Sequence, residues 1–200
     1  PEALRVAGLQ AALEALGLEV VDRGNLAGPH NPWQPPVNGY RHLGEVAAWS
    51  RAVHTAVLAE LTLGRLPLLL GGDHSLAIGS IAAVARHCRE AGRKLRVLWL
   101  DAHADFNTDL LTPSGNLHGM PVACLCGRGP KELIEIGGQV PAISPKWVRQ
   151  IGIRSVDAGE KRLVHEAGLE VFDMRHIDEM GMRHTMELAL ATLDANTHLH

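Results

Sequence analysis

Three side chains that could bind a metal ion follow one another at every second position near the middle of the chain. Asp101, His103 and Asp105 come directly after the apolar run 95–100. In an extended segment, side chains two positions apart point to the same face, so the end of a buried strand would present all three together. Carboxylate oxygens and imidazole nitrogens suit a divalent cation. The spacing therefore predicts a metal site.

A second polar group follows another apolar run upstream. Residues 67–70 have the composition of a short buried parallel strand, and they lead through the glycine-rich residues 71–73 to His74. Ser75 is a candidate N-cap for the helical pattern that follows. Open α/β sheets build their sites at the carboxyl ends of their strands, so we expect His74 to join the other three ligands there.

Helical and extended patterns alternate along the chain, which predicts a parallel sheet covered by helices. We expect strands at 18–21, 67–70, 95–100, 147–153 and 169–173, and helices at 1–16, 43–63, 75–91, 158–167 and 176–194. The Pro-rich stretch 28–36 is expected to be a surface loop. No repeat or composition shift marks a boundary, so residues 1–200 are interpreted as one α/β domain.

Composition argues against several classes of function. The chain has 200 residues, 46% of them hydrophobic, and a net charge of −3 without a basic stripe, so no nucleic-acid partner is predicted. No apolar run approaches the roughly 18 residues of a membrane span, and the first residues lack signal-peptide architecture, so we expect a cytoplasmic protein without a membrane partner.

Three cysteines without a CxxC pair argue against a disulfide framework. Cys124 and Cys126 fit small buried hydrophobes better than a metal pair.

The stretch 107–119 is dense in short hydrogen-bonding side chains. Turn chemistry alone would explain such a composition. Because this stretch leaves the predicted metal strand, however, it is also placed to bind polar groups of a substrate.

Three motifs occur in order along the chain: Gly71-Gly72-Asp73-His74-Ser75, Asp101-Ala102-His103-Ala104-Asp105-Phe106-Asn107-Thr108 and Ser114-Gly115-Asn116-Leu117-His118-Gly119. Together they resemble the ureohydrolase family, and arginases most closely. Residues 153–160 also resemble the arginase segment that contacts the amino-acid end of the substrate, and the resemblance extends from residue 1 to residue 200. It implies a three-layer α/β/α fold with a mainly parallel sheet, incomplete in this chain.

The resemblance also implies an activity. A hydroxide that bridges two Mn²⁺ ions would hydrolyse the guanidinium group of L-arginine to ornithine and urea, in a homotrimer or homohexamer. The implied metal ligands are His74, Asp101, His103 and Asp105, and His118 is the implied proton shuttle. Asn107, Thr112, Ser114 and Asn116 fall where arginases bind the substrate α-carboxylate, and Asp157 and Glu160 fall where they meet its α-amino group. An agmatinase-type amidine hydrolase and a non-catalytic metal-binding or partner-binding fragment are the alternatives.

The chain departs from the family in one respect. Arginases carry a later Asp-x-Asp motif that supplies bridging carboxylates, and no Asp-x-Asp occurs in these 200 residues. The glycine-rich first strand of the family is also missing before Pro1. We therefore expect an internal fragment, cut at both ends, that is inactive by itself although the parent protein is an enzyme.

Several candidate residues also fit purely structural roles. Asp157 and Glu160 have the spacing of an N-cap and its N3 partner at the start of a helix, which is compatible with substrate binding. His118 also fits an ordinary turn. His198 and His200 alternate as metal ligands on a strand would, but their terminal position favours an ordinary strand or a disordered end.

Overall fold

Four strands form one parallel sheet in the computed structural model of the protein, which describes residues 2–200. The strands are β1 (Lys94–Leu100), β2 (Val148–Ile153), β3 (Glu170–Asp173) and β4 (Thr197–Leu199), in the spatial order β3-β2-β1-β4. Val97 lies opposite Val148 in one ladder, and Leu95 lies opposite His198 in another. The predicted α/β class and parallel sheet are thus confirmed, and β1, which precedes the predicted metal motif, occupies an interior position.

Helices cover both faces of this sheet. They are α1 (Glu2–Val6), α2 (Leu9–Glu14), α3 (Leu43–Thr62), α4 (Ala77–Glu90), α5 (Pro121–Leu125), α6 (Lys131–Ile134), α7 (Ala158–Ala167), α8 (Met174–Met180) and α9 (Met182–Leu190). Within the described residues 2–200, none of them combines the length and apolar character that crossing a bilayer requires.

The alternation of side chains along β1 divides the core into two layers. Leu95, Val97 and Trp99 belong to the larger cluster, which also contains buried residues of α3, α4 and α5. Leu98 packs on the opposite side, against a cluster with residues of α8 and α9. Successive strand residues point to opposite faces, so one strand contributes to both cores.

Helices α3 and α4 cross with very little space between them. A Cβ atom at Gly79 of α4 would lie 2.2 Å from the backbone oxygen of Ser50 in α3. Only glycine permits this backbone approach without a shift. The crossing fixes the start of α4, and so it also fixes the turn that carries His74.

Two predicted strands are absent from the described residues. Residues 18–21 and 67–70 have no regular secondary structure, and Leu18 and Leu68 are 54% and 62% exposed. On the side of β1 away from β2 the ladder is formed by β4, and the backbone nitrogen of His200 donates to the oxygen of Arg96 at 2.8 Å. A run without a neighbouring ladder leaves its backbone groups unpaired, so apolar composition alone does not make a strand.

Two predicted helices are each divided by glycine. The predicted helix 1–16 separates into α1 and α2 at Gly8, whose φ is +84°. The predicted helix 176–194 begins earlier, at Met174, and separates into α8 and α9 at Gly181, whose φ is +82°. Positive φ is incompatible with a continuous right-handed helix. The other predicted elements, 75–91 included, agree with the structure to within two residues at each end.

The helix predicted at 75–91 begins differently from the expectation. Asp73, rather than Ser75, is the N-cap, since its Oδ1 accepts a hydrogen bond from the Ser75 nitrogen at 3.0 Å. A 3-10 turn from His74 to Leu76 then leads into α4. His74 thus lies in the tightly wound turn that precedes the α-helix.

Candidate metal centre

The turn before α4 and the segment after β1 bring three predicted ligands together. His74 Nδ1 lies 2.7 Å from Asp101 Oδ2 and 2.9 Å from Asp105 Oδ2. One ligand atom from each of these residues lies within 4.8 Å of the others. Since 27 residues separate His74 from Asp101 in the numbering, the convergence depends on the tertiary fold.

The backbone after β1 does not continue as the extended strand that the alternation of ligands suggested. β1 ends at Leu100, and Asp105 has a left-handed conformation with φ of +48°. Aspartate tolerates this region better than most side chains, although it is uncommon for any residue except glycine. Asp101 and Asp105 reach a common point because the chain turns between them.

His103 occupies a different position from the other three predicted ligands. Its side chain is 60% exposed, and its Nδ1 lies 3.3 Å from Asp101 Oδ1, on the carboxylate oxygen that does not face His74. The His103 nitrogen also donates to Asp101 Oδ1 at 3.0 Å. The structure therefore brings His103 to the edge of the cluster, where it shares Asp101 but stays outside the group formed with His74 and Asp105.

The His74 imidazole stacks on an aromatic ring of β1. This ring is the Trp99 indole, and the two ring centroids lie 4.1 Å apart with an interplanar angle of 23°. Hydrogen bonding to Asp105 raises the pKa of His74, and the charges of Asp105 and Asp101 add to this effect, while partial burial opposes it. The two carboxylates thus favour a positive charge at the position of Nδ1.

The donor set matches the needs of a divalent cation. Within the described residues 2–200, Asp101 and Asp105 form ion pairs only with histidine, and no lysine or arginine neutralises them. Asp105 is 5% exposed and pairs with the His74 imidazole, and a buried carboxylate is costly unless a positive charge such as an imidazolium or a metal ion balances it. Two carboxylates and an imidazole can hold an ion such as Mn²⁺ or Zn²⁺.

A cleft of about 430 Å³ reaches the same turn from the side of β4. It is lined by residues 71–74 of the glycine-rich turn, by the start of α4 and by His200. His74 is 41% exposed at its side chain. The candidate ligand is therefore accessible from solvent rather than sealed in the core.

The polar loop that follows Asp105 is tied to a distant segment. Thr112 Oγ1 accepts hydrogen bonds from the nitrogens of Ser114 and Gly115 at 3.4 and 3.0 Å, and Ser114 Oγ accepts from the Asn116 nitrogen at 3.2 Å. Arg41 Nε donates to the Ser114 oxygen at 2.9 Å. Three of the predicted substrate-binding residues thus also build the loop through local turn bonds.

Asn107 and Asp157 meet across the loop and the start of α7. Asn107 Nδ2 donates to Asp157 Oδ2 at 3.5 Å, while Asn107 Oδ1 is buried without a hydrogen-bond partner. The Asp157 side chain forms no cap bond with α7, although Asp157 is at the N-cap position. An exposed carboxylate and an amide donor consequently lie side by side at the rim of the site.

Glu160 points inward from the first turn of α7. It is 4% exposed, and its Oε1 accepts a hydrogen bond from the Phe106 nitrogen at 2.8 Å. Burial raises the pKa of Glu160, whereas hydrogen bonds from the backbone of Phe106 and Asp157 oppose the increase. In a capping box, the side chain at N3 accepts a hydrogen bond from the backbone nitrogen of the N-cap residue, and Glu160 does this with Asp157. Glu160 therefore has the structural role at the start of α7 that its spacing from Asp157 predicted.

His118 lies at the end of the polar loop, in a 3-10 turn from Leu117 to Gly119. This turn packs against the turn that carries His74. The His118 side chain is exposed, while Leu117 beside it is buried. The imidazole is therefore free to contact a molecule bound outside the metal cluster.

Two further residues of the site were not predicted from the sequence. In the sequence Trp99 is one residue of the apolar run 95–100, and Gln150 lies in the middle of β2 with no exposed surface. Gln150 Nε2 donates to the oxygen of Ala104, the residue before Asp105. A glutamine between Arg149 and the apolar end of β2 is the sequence signal that could have indicated this contact.

Comparison with known proteins identifies relatives over the whole chain. A family model described as the arginase family matches residues 1–200. Arginase from Brevibacillus brevis is 41% identical over 199 residues, which cover 98% of this chain and 65% of that protein. Arginase from Brucella melitensis is 43% identical over 187 residues, which cover 91% of this chain and 59% of that protein. The chain thus spans 59–65% of the length of these two relatives, less than two thirds.

Solved structures show the same similarity in three dimensions. The arginase from Bacillus caldovelox superposes with a TM-score of 0.91 at 39% identity, covering 100% of this chain and 67% of that one. The arginase from Entamoeba histolytica, in complex with L-ornithine, gives a TM-score of 0.84 at 30% identity, with coverages of 100% and 67%. The fold and the order of its elements are shared throughout the chain.

Proposed function

The chain belongs to the arginase family, and from this premise we propose that the protein hydrolyses the guanidinium group of L-arginine to L-ornithine and urea. The observation that carries the proposal is the convergence of His74, Asp101 and Asp105 beside the polar loop. A relative that binds L-ornithine, the expected product, supports the same substrate class.

We propose that the metal is Mn²⁺ and that His74, Asp101, His103 and Asp105 hold it, two ions being bound in the complete site. The 3.3 Å contact between His103 and Asp101 supports including His103 among the ligands. Asp101 has Oδ2 next to His74 and Oδ1 next to His103. A carboxylate that faces two directions suits a bridging ligand. When bound, such ions lower the pKa of water and so supply a hydroxide nucleophile near neutral pH.

The residues at the rim would orient the amino-acid end of arginine. Asn107, Thr112, Ser114 and Asn116 offer amide and hydroxyl groups that can donate to the substrate α-carboxylate. Asp157, exposed and close to Asn107, would accept from the α-ammonium. Glu160 is already bonded to backbone nitrogens, so its part in binding the α-ammonium would be to support Asp157 through the capping box.

His118 would return a proton to the departing amine of ornithine. Cleavage of the C–N bond produces a basic amine that must be protonated, and imidazole is the side chain best suited to proton transfer near neutral pH. Its exposed position on the turn next to the one that carries His74 supports this role, because the imidazole can exchange protons with solvent and lies on an element adjoining the candidate ligands.

The experiment that tests the proposal compares arginine with agmatine, which lacks the α-carboxylate, using the complete gene product loaded with Mn²⁺. We expect kcat/KM for arginine to be higher by 10²-fold or more, since donors that are left unpaired in the complex with agmatine cost on the order of several kcal/mol. Comparable kcat/KM values would favour an agmatinase. Tight Mn²⁺ binding without urea release would favour a non-catalytic binding protein.

We further predict the activity of the 200-residue chain by itself, the oligomeric state and the cellular location. The 200-residue chain by itself is expected to release negligible urea even with excess Mn²⁺, because it contains no Asp-x-Asp to supply bridging carboxylates. Assembly into a homotrimer or homohexamer is expected for the complete protein and is measured by analytical ultracentrifugation. A cytoplasmic location is expected as well, and fractionation of the host cells would check it.

A further inference from the structure

Asp105 adopts a backbone conformation that few side chains take without help. Its φ of +48° lies in the left-handed region, and the residue is 5% exposed. Such conformations persist where the surroundings hold them in place, and they concentrate at functional sites. The inference drawn from this residue rests on the proposed function, in which Asp105 binds Mn²⁺.

The peptide groups on both sides of Asp105 are bonded to buried side chains from other elements. On one side, Gln150 Nε2 of β2 donates to the Ala104 oxygen. On the other side, the Phe106 nitrogen donates to Glu160 Oε1 of α7 at 2.8 Å. The oxygen of Asp105 itself accepts from the Val122 nitrogen at 3.0 Å, at the start of α5.

The hydrogen bond from Gln150 to Ala104 is the contact that explains why a glutamine is buried at this position. The residue is 0% exposed, and its Oε1 has no hydrogen-bond partner among the described residues. On packing grounds an apolar side chain of the same length would be better there, since a buried unpaired oxygen is unfavourable. The favourable contact of the amide is its donation to Ala104.

We propose that Gln150 and Glu160 are positioning residues, which fix the peptide groups that flank Asp105 and thereby direct its carboxylate toward His74. Among the described residues, the hydrogen bonds of the two side chains with the segment 104–106 go to backbone groups beside Asp105 and not to the ligand atoms themselves. Instead, β2 and α7 each supply one buried polar group, and the segment 104–106 is held between them. The fold itself thus holds the backbone that carries the Asp105 carboxylate.

The test measures the affinity of the complete protein for Mn²⁺ alone, by isothermal titration calorimetry. Gln150→Met removes the donor with little change in side-chain length, and Glu160→Leu removes the acceptor. Each is expected to weaken Mn²⁺ binding about 10- to 100-fold, the range found when partners of metal ligands are removed. Glu160→Gln, whose amide oxygen can still accept from Phe106, is expected to restore the affinity to within about threefold.

A matched control and a second measurement separate positioning from general destabilisation. Thr185→Val removes a hydrogen bond that the buried Thr185 donates to the Gly181 oxygen, far from the ligands in the sequence, and it should leave the Mn²⁺ affinity unchanged. Hydrogen exchange of the metal-free protein should accelerate at the Phe106 amide in Glu160→Leu and stay slow in Thr185→Val.

The outcomes distinguish the two proposals. If the unmodified protein binds Mn²⁺ and both Gln150→Met and Glu160→Leu bind it equally well, the positioning role is wrong while the proposed function stands. If the unmodified protein binds no Mn²⁺ although Asp101 and Asp105 are intact, the proposed function fails and the positioning role fails with it. An equal loss of affinity in Glu160→Gln and Glu160→Leu would also overturn the hydrogen-bond argument.

Discussion

Asp101 is the residue that connects the parts of the candidate metal centre. One of its oxygens lies 2.7 Å from His74 Nδ1, and the other accepts from the His103 nitrogen and lies 3.3 Å from the His103 imidazole. His118 touches none of these ligand atoms in the structure and lies on the neighbouring turn. Substitutions at the two positions should therefore have different consequences.

Asp101→Asn is expected to lower both the Mn²⁺ content and the activity of the complete protein by at least 10²-fold, because a shared ligand loses its charge. His118→Asn should lower kcat by about 10²- to 10⁴-fold, the range for loss of a general acid, with the Mn²⁺ content unchanged. Metal analysis and steady-state kinetics on the same preparations provide the check. Loss of manganese in His118→Asn would identify His118 as a ligand instead.

At the scale of secondary-structure elements, the crossing of α3 and α4 sets the position of the His74 turn. Gly79→Ala would place a methyl group 2.2 Å from the Ser50 oxygen, so the helices must separate. We expect the free energy of unfolding to fall by about 1–3 kcal/mol, as for other overpacked cores. Urea denaturation measures the change.

The matched control for that prediction is Gly44→Ala, at an exposed position in the first turn of α3. No atom lies within 4 Å of a Cβ built there, and alanine is the better helix former, so stability should rise by up to ~1 kcal/mol. If Gly79→Ala and Gly44→Ala changed the free energy of unfolding equally, the close crossing of α3 and α4 could not be the cause of the loss.

Strand β4 is attached to β1 through a charged turn, and this attachment should depend on pH. Asp194 accepts from Lys94 Nζ at 2.6 Å and from Thr197 Oγ1 at 2.7 Å, and these hydrogen bonds lower the pKa of Asp194 to about 2. A carboxyl with a lowered pKa contributes stability that is present above its unfolded pKa of 3.8 and is lost as the pH falls through about 2.

Hydrogen exchange in β4 is accordingly expected to accelerate as the pH falls from about 4 to about 2, after correction for the intrinsic rate. Asp194→Asn should remove most of this pH dependence, and high salt should weaken it because the pair is exposed. An Asp194 carboxyl that titrates near 4 in an NMR experiment would contradict the prediction.

At the scale of the whole molecule, the packing of the core governs the chemistry of the thiols. Cys88, Cys124 and Cys126 are all buried and unpaired, and burial raises the pKa of both Cys124 and Cys126 to about 12. The reactive species is the thiolate, which at pH 8 would be on the order of 10⁻⁴ of such a group. Cys124 and Cys126 are therefore expected to behave as hydrophobic residues, in agreement with their apolar neighbours in the sequence.

The folded protein is expected to react very slowly with a thiol reagent such as Ellman's reagent at pH 8, and to release three equivalents once it is unfolded in guanidinium, one for each cysteine. The absorbance of the released thiolate measures both phases. Rapid modification of Cys124 or Cys126 before unfolding would show that this part of the core opens readily.

The sequence by itself determined the elements whose patterns are local. The predicted strand 95–100 corresponds to β1 at Lys94–Leu100, and the predicted helix 158–167 corresponds to α7 at the same bounds. Periodicity and capping depend on residues within a few positions of one another, so they can be read directly. The local pattern also predicted that Asp101 follows the end of a strand, and the sequence motifs indicated the family.

Only the tertiary structure decided which of these residues meet and in what conformation. It brought His74 to Asp101 and Asp105, left His103 at the edge and turned Glu160 into the core. It also left residues 67–70 without a strand, because a ladder requires a neighbour that apolar composition cannot supply. The left-handed conformation of Asp105 follows from hydrogen bonds with β2, α5 and α7, none of which is local in the sequence.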